Sequence, residues 1–153
     1  MTRAPALIFE VDGQRYGLEI TQVSKLLPYV RLRRLPHVPQ YVAGVFRYQD
    51  QMVPVIDVNQ LIAGKPVAER LSTRIILVQH PGPSGTVRLL GLLAERANQI
   101  LEDTAAELES SGVAVPEAPY LGSLTVSQGG IVQYVKVEHL LPEELRERLF
   151  VEE

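Results

Sequence analysis

Asp57 has the strongest claim to chemistry in this chain. It closes the strand pattern in "GVFRYQDQMVPVIDVNQLI" (44–62), and few other side chains offer a reactive group. A carboxylate at a strand end can accept a phosphoryl group, act as a general acid, or cap the turn that follows. A phosphoacceptor site would add an acidic pair after the first strand, a later lysine, and long helices alternating with the strands. The first strand carries only Glu10 and Asp12, and a hairpin follows it. Capping is therefore the expected role of Asp57.

The remaining inventory supports no reaction either. His37, His80 and His139 are far apart, and no His-x-x-x-His or carboxylate–histidine spacing marks a zinc site. No serine sits in a Gly-x-Ser-x-Gly elbow, and "AGK" (63–65) lacks the rest of a phosphate-binding loop. The absence of cysteine excludes disulfides, thiolate metal sites and cysteine nucleophiles. The expectation is a protein without catalytic residues, cofactor or metal.

With 153 residues, 46% hydrophobic and 22% charged, the sequence is that of one folded domain spanning 1–153. The longest apolar runs, such as "LLGLLA" (89–94), fall far short of the ~20 residues that cross a bilayer. Glu10 and Asp12 arrive before any signal-like apolar region develops, so a cytoplasmic location is expected. A net charge of −3 argues against broad nucleic-acid binding, which draws on phosphate neutralisation.

The elements that must position these residues are mostly strands. "ALIFEV" (6–11) and "RYGLEI" (15–20) flank a short Gly-containing turn, and "VFRYQ" (45–49) and "MVPVIDV" (52–58) form a second pair. "RIILVQH" (74–80) pairs with "TVRLLGLLA" (86–94), and "LGSLTVS" (121–127) with "IVQYVKV" (131–137). "TQVSKLL" (21–27) and "VNQLI" (58–62) allow one or two helical turns each. "PEELRERLF" (142–150) is the best helix, with acids near its start and arginines near its end. The stretch 103–119 reads as a long loop with room for one helical turn.

The sequence also repeats itself. "YVAGVFRYQDQMVPVIDVNQLI" (41–62) lies without a gap over "YLGSLTVSQGGIVQYVKVEHLL" (120–141), a shift of 79. Turn, alternation and terminal leucines agree, and Asp57 falls opposite Lys136. "YGLEITQVSKLL" (16–27) matches "LGLLAERANQIL" (90–101) more loosely. Two consecutive units of roughly 75 residues imply two small β-lobes built alike, sharing one core, with a docking groove where they meet.

"VRLRRL" (30–35) is the one basic cluster. In a strand with Val30 and Leu32 facing the core, Arg31 and Arg33 point outward and Arg34 marks the strand's end. Three readings stay open: a solvated edge, a contact for an acidic partner, or a small nucleic-acid face.

"FEVDGQRYGLEITQV", "LPHVPQYVAGV" and "VPVIDVNQLI", continued by "RIILVQ", "LLGLLAERANQIL" and "YLGSLTVSQGGIVQYVKVEHLL", together resemble the CheW-like family of chemosensory adaptors. The resemblance runs from about residue 6 to 145. It implies a mainly β fold of two five-stranded SH3-like barrel lobes, with short helices and a C-terminal helix. It implies a non-catalytic scaffold that couples the cytoplasmic tips of methyl-accepting chemoreceptors to the regulatory domain of a CheA-type histidine kinase. It also implies recruitment to membrane receptor arrays without membrane insertion. The alternative is a β-barrel binding module that takes another protein, or a nucleic acid, through Arg31, Arg33 and Arg34.

By the same resemblance, receptor contacts fall on Val23, Leu26, Gly44, Gln49, Ile75 and Ile100. The family's Gly-Val-x-Asn-Leu-Arg-Gly reads "GVFRYQD" here, with Arg47 for the asparagine, Gln49 for the arginine and Asp50 for the glycine. Glutamine has no guanidinium fork, and Arg47, two residues earlier on the same strand face, is the expected partial substitute. Asp50 is among the residue types that accept left-handed geometry.

Overall fold

The computed structural model describes residues 5–82, 85–102, 106–108, 116–127 and 130–150. Among the described residues, ten strands form one extensively bonded sheet. They are β1 (Ala6–Val11), β2 (Gln14–Glu19), β3 (Val23–Pro28), β4 (Val42–Tyr48), β5 (Gln51–Asp57), β6 (Thr73–Pro81), β7 (Val87–Leu101), β8 (Ala106–Leu108), β9 (Leu121–Ser127) and β10 (Gly130–Val135). The order runs β3-β6-β7-β1-β2-β10-β9-β8, with β5 joining β4 to β7. Helix α1 spans Val58–Ala63 and α2 spans Glu143–Leu149. The fold is mainly β, as the strand patterns predict.

Turn chemistry accounts for the hairpins. Asp12 (φ 52°) and Gly13 (φ 78°) link β1 to β2, and Gln49 (φ 46°) and Asp50 (φ 64°) link β4 to β5. Two central residues with positive φ match the right-handed twist of the strands they connect. Asp50 thus adopts the left-handed geometry expected of it, and Gln49 lies at the hairpin tip rather than within the strand.

The repeat is present in the backbone. Strands β4 and β9 lie at the shift of 79 (Val42 to Leu121, Tyr48 to Ser127). Asp57 N–H donates to Tyr41 O at 2.7 Å, and Lys136 N–H donates to Tyr120 O at 2.7 Å. The halves are nevertheless not separate units. Val55 of β5 pairs in parallel with Gly91 of β7, and Tyr134 of β10 pairs in parallel with Gly17 of β2. Each repeat therefore lends its last strand to the hairpin of the other, which supplies the long crossover that parallel pairing requires. The two units expected to share one core thus also exchange strands, which the ungapped repeat by itself did not indicate.

Interleaving leaves β6 buried on both faces. Ile76 and Val78 enter one apolar cluster with Phe9, Leu18 and Leu92, while Ile75 and Leu77 enter another with Val53 and Val55. A two-sided strand reads as a continuous apolar run, which is what "RIILV" is. The first cluster draws on both repeats, on α2 through Leu145 and on the C-cap residue Phe150, so a shared core is present.

Four local expectations change. "TQVSKLL" forms only a 3-10 turn (Ile20–Gln22) before β3, because pairing with β6 outweighs helix propensity. "VRLRRL" makes a single bridge, Arg33 to Val45, instead of a strand. β7 continues to Leu101 through a register shift against β1 near Arg96, whose φ is 54°. Within 103–119, β8 occupies Ala106–Leu108, and 103–105 and 109–115 lie outside the described residues.

His80 is fully buried beneath α2. Its ring packs on Phe150 at 5.6 Å, with Arg88 on the Phe150 ring. Nδ1 lies 2.8 Å from Pro81 O, and Nε2 has no hydrogen-bond partner among the described residues. Burial, helped by the Arg146 charge, holds its pKa below the ordinary 6.5, against the Pro81 carbonyl and Glu138. The neutral ring is the folded form, so below about pH 6.5 the unfolded chain takes up the proton first. Stability is expected to be intact above that pH and to fall below it by up to about 1.4 kcal/mol per pH unit. Urea midpoints between about pH 7.5 and 5.5 check this, and His80→Leu should flatten the profile.

Candidate functional site

Asp57 caps α1. Its Oδ1 accepts from Asn59 N–H at 3.0 Å and Gln60 N–H at 3.1 Å, and its Oδ2 accepts from Val67 N–H at 2.9 Å. The residue is 6% exposed. Burial raises its pKa, with a smaller push from Glu95, while the three backbone donors lower it. Both oxygens are engaged by backbone, leaving neither free for an incoming phosphoryl donor. At the equivalent position Lys136 provides no side-chain cap, and only the three-residue 3-10 turn Val137–His139 follows.

Among the described residues, one exposed feature with the shape of a binding site is a groove of about 520 Å³ between the chain after β3 and the β4–β5 hairpin. Leu27, Val30, Val45, Phe46, Tyr48 and Met52 supply its apolar lining. Arg31, Arg33 and Arg47 also line it, and no Asp or Glu does. Met52 is 57% exposed and stands directly across the strand pair from Arg47.

Backbone geometry places the arginines. Arg33 N–H donates to Val45 O at 2.9 Å and Val45 N–H donates to Arg33 O at 2.8 Å, fastening the basic segment along β4. The approach is close because Gly44 lies between them at φ 148°; a Cβ there would stand 2.4 Å from Arg33 O. Gly44 is therefore a buried packing position. Arg47 Nη2 bonds Asp50 Oδ1 at 3.0 Å across the hairpin tip. Arg31 and Arg33 make no salt bridge among the described residues. Arg34 is exposed outside the groove lining.

The six expected receptor contacts do not form one exposed surface. Leu26 (39% exposed) and the partly buried Val23 lie on β3, and Ile100 (53% exposed) lies on β7 opposite Leu7. Ile75 is fully buried and Gly44 is covered by the basic segment, so neither presents a face to a partner in this structure. Gln49 is exposed at the hairpin tip. The sequence pointed to the arginines but not to the apolar lining. Aromatic residues beside Arg47 in "VFRY" were the available signal.

Among the described residues no cluster of three or more His, Asp or Glu could hold a metal, and no helix is long and apolar enough to cross a membrane.

Comparison with known proteins agrees with this architecture. The solved scaffolding protein TtCheW from Thermoanaerobacter tengcongensis superposes with a TM-score of 0.78 at 19% identity, covering 93% of this chain and 89% of that one. The chemotaxis protein CheW of Klebsiella aerogenes is 26% identical over 140 residues, 90% of this chain and 81% of that protein. CheW of Bacillus subtilis is 26% identical over 105 residues, 69% of this chain, and the match spans 64% of that protein's length. The CheW-like domain model matches residues 5–145. The chain belongs to the CheW-like domain family.

Proposed function

We propose that this protein is a non-catalytic chemosensory scaffold that couples chemoreceptor cytoplasmic tips to the regulatory domain of a CheA-type histidine kinase. The observation that carries the reading is the family match over residues 5–145, in a chain whose one conspicuous carboxylate is consumed as a helix cap. Chemotaxis-protein relatives from two organisms and the scaffolding role named for the solved neighbour support it. In this reading the protein works in the cytoplasm beside membrane receptor arrays. Two β-lobes offer separate faces. Val23, Leu26, Gln49 and Ile100 contribute to the receptor side, with Ile75 and Gly44 shaping it from within, and the groove rim with Arg31, Arg33 and Arg47 lies toward the kinase side.

Such coupling is tested by reconstitution of receptor fragment, kinase and this protein. Leu26→Asp with Ile100→Asp places charges on exposed apolar positions. The double variant is expected to lower receptor recruitment about tenfold or more while leaving kinase binding intact.

A further inference from the structure

We infer that the groove beside the β4–β5 hairpin selects its partner by charge, taking a protein surface whose apolar side chains are ringed by carboxylates. The inference rests on the adaptor reading, which makes the kinase regulatory domain the occupant, and adds the chemistry by which that occupant is recognised. The chain carries a net charge of −3, yet the lining holds three arginines and no acid. Arg31 and Arg33 have no salt-bridge partner among the described residues, although Asp and Glu outnumber Lys and Arg by 18 to 15. A purely solvated edge explains the exposed cations but not the apolar lining between them, where Phe46 and Met52 meet the guanidinium rim.

A nucleic acid is a poorer fit. Single-strand binders track a long backbone with basic residues and stack bases on exposed aromatics. Here Phe46 and Tyr48 are partly buried against the second apolar cluster, and the cations are confined to one short segment and one strand. An apolar floor with an arginine rim is the arrangement of a protein interface, in which buried apolar groups supply affinity and arginines pair with carboxylates at the margin.

The three arginines are not equivalent. Arg31 and Arg33 have no salt-bridge partner among the described residues and are ready for carboxylates, so they are the selecting pair. Arg47 is already bonded to Asp50, and a docking carboxylate must compete with that aspartate. Removing Asp50 therefore releases a third cation. The repeat sharpens the contrast, because the counterpart of the Arg47–Met52 cross-strand pair is Val126–Ile131, both exposed and uncharged. Among the described residues, the cross-strand pair at the β4–β5 end carries a charge and its counterpart does not.

The test is a titration of the full chain against the regulatory domain of a CheA-type kinase at about 50 and about 300 mM salt. Expected is binding that weakens about tenfold with salt, weakens about thirtyfold or more at low salt in Arg31→Glu/Arg33→Glu, and tightens several-fold in Asp50→Asn. Circular dichroism and the urea midpoint establish that the variants are folded. Kinase binding that the arginine reversal leaves unchanged would overturn the charge inference and leave the adaptor reading standing. Absence of kinase binding in the wild type would overturn both. Self-association of the chain that the reversal abolishes, with kinase binding untouched, would assign the groove to a second copy and also overturn the inference.

Discussion

Replacing Gly44 by alanine is expected to cost about 3–5 kcal/mol, among the largest effects of any single methyl group in this protein. Two penalties add. The residue stands at φ 148°, where an L side chain is strained by about 1–2 kcal/mol. The new Cβ would also lie 2.4 Å from Arg33 O and 3.1 Å from Leu32 Cβ, and the first of these is backbone that cannot swing aside. Relief requires the basic segment to lift from β4, breaking the paired bonds between Arg33 and Val45. Gly64→Ala is the control: φ is 75° there, at the C-cap of α1, but no atom lies within 4 Å of the added carbon. It should cost about 1 kcal/mol. Denaturation midpoints of the two variants separate backbone strain from steric collision, and equal losses would refute the close-approach argument.

Removing the carboxylate in Asp57→Ala is expected to cost about 2–4 kcal/mol. A missing N-cap accounts for about 1 kcal/mol, and the buried Val67 N–H left without an acceptor adds about 1–3 kcal/mol. Asp57→Asn should cost less, since one amide oxygen still accepts and no charge is buried. Neither change should alter kinase affinity per folded molecule, because Asp57 is not among the groove-lining residues. Urea denaturation and a binding titration on the same samples check both halves. A variant that is as stable as the parent but has lost a signalling output would restore the chemical reading of Asp57.

These two residues also mark how far sequence could reach. The cap at Asp57 was legible because it is local: a strand end, an aspartate and a short helical pattern. Its counterpart Lys136 fits the same logic, since the uncapped position carries only a 3-10 turn. The ungapped repeat was legible for the same reason, each hairpin being written in adjacent residues. The exchange of strands between repeats was not, because the pairs Val55–Gly91 and Tyr134–Gly17 join residues far apart in the chain. Gly17 and Gly91 lie inside the strand patterns "RYGLEI" and "TVRLLGLLA". In the structure a Cβ at Gly91 would meet Val55 Cγ2 at 3.0 Å, which marks the parallel crossing.

The candidate site divides similarly. Arg31, Arg33 and Arg47 stood out by charge. Ile75 stood out as apolar, but a strand buried on both faces gives no alternation from which to read its direction. "TQVSKLL" carried helix-compatible residues, and only the distant β6 made it a strand. Gly44 stood out through the resemblance as a contact position, but the segment pressing on it was not legible.

The measurement that tests the central claim most directly is co-sedimentation of a CheA-type kinase with a chemoreceptor cytoplasmic assembly, with and without this protein. Kinase is expected to appear in the receptor pellet in proportion to added protein, and Leu26→Asp/Ile100→Asp is expected to abolish this while still binding kinase in solution. Kinase recruitment that is unchanged by the protein, with the protein folded and the kinase competent, would contradict it.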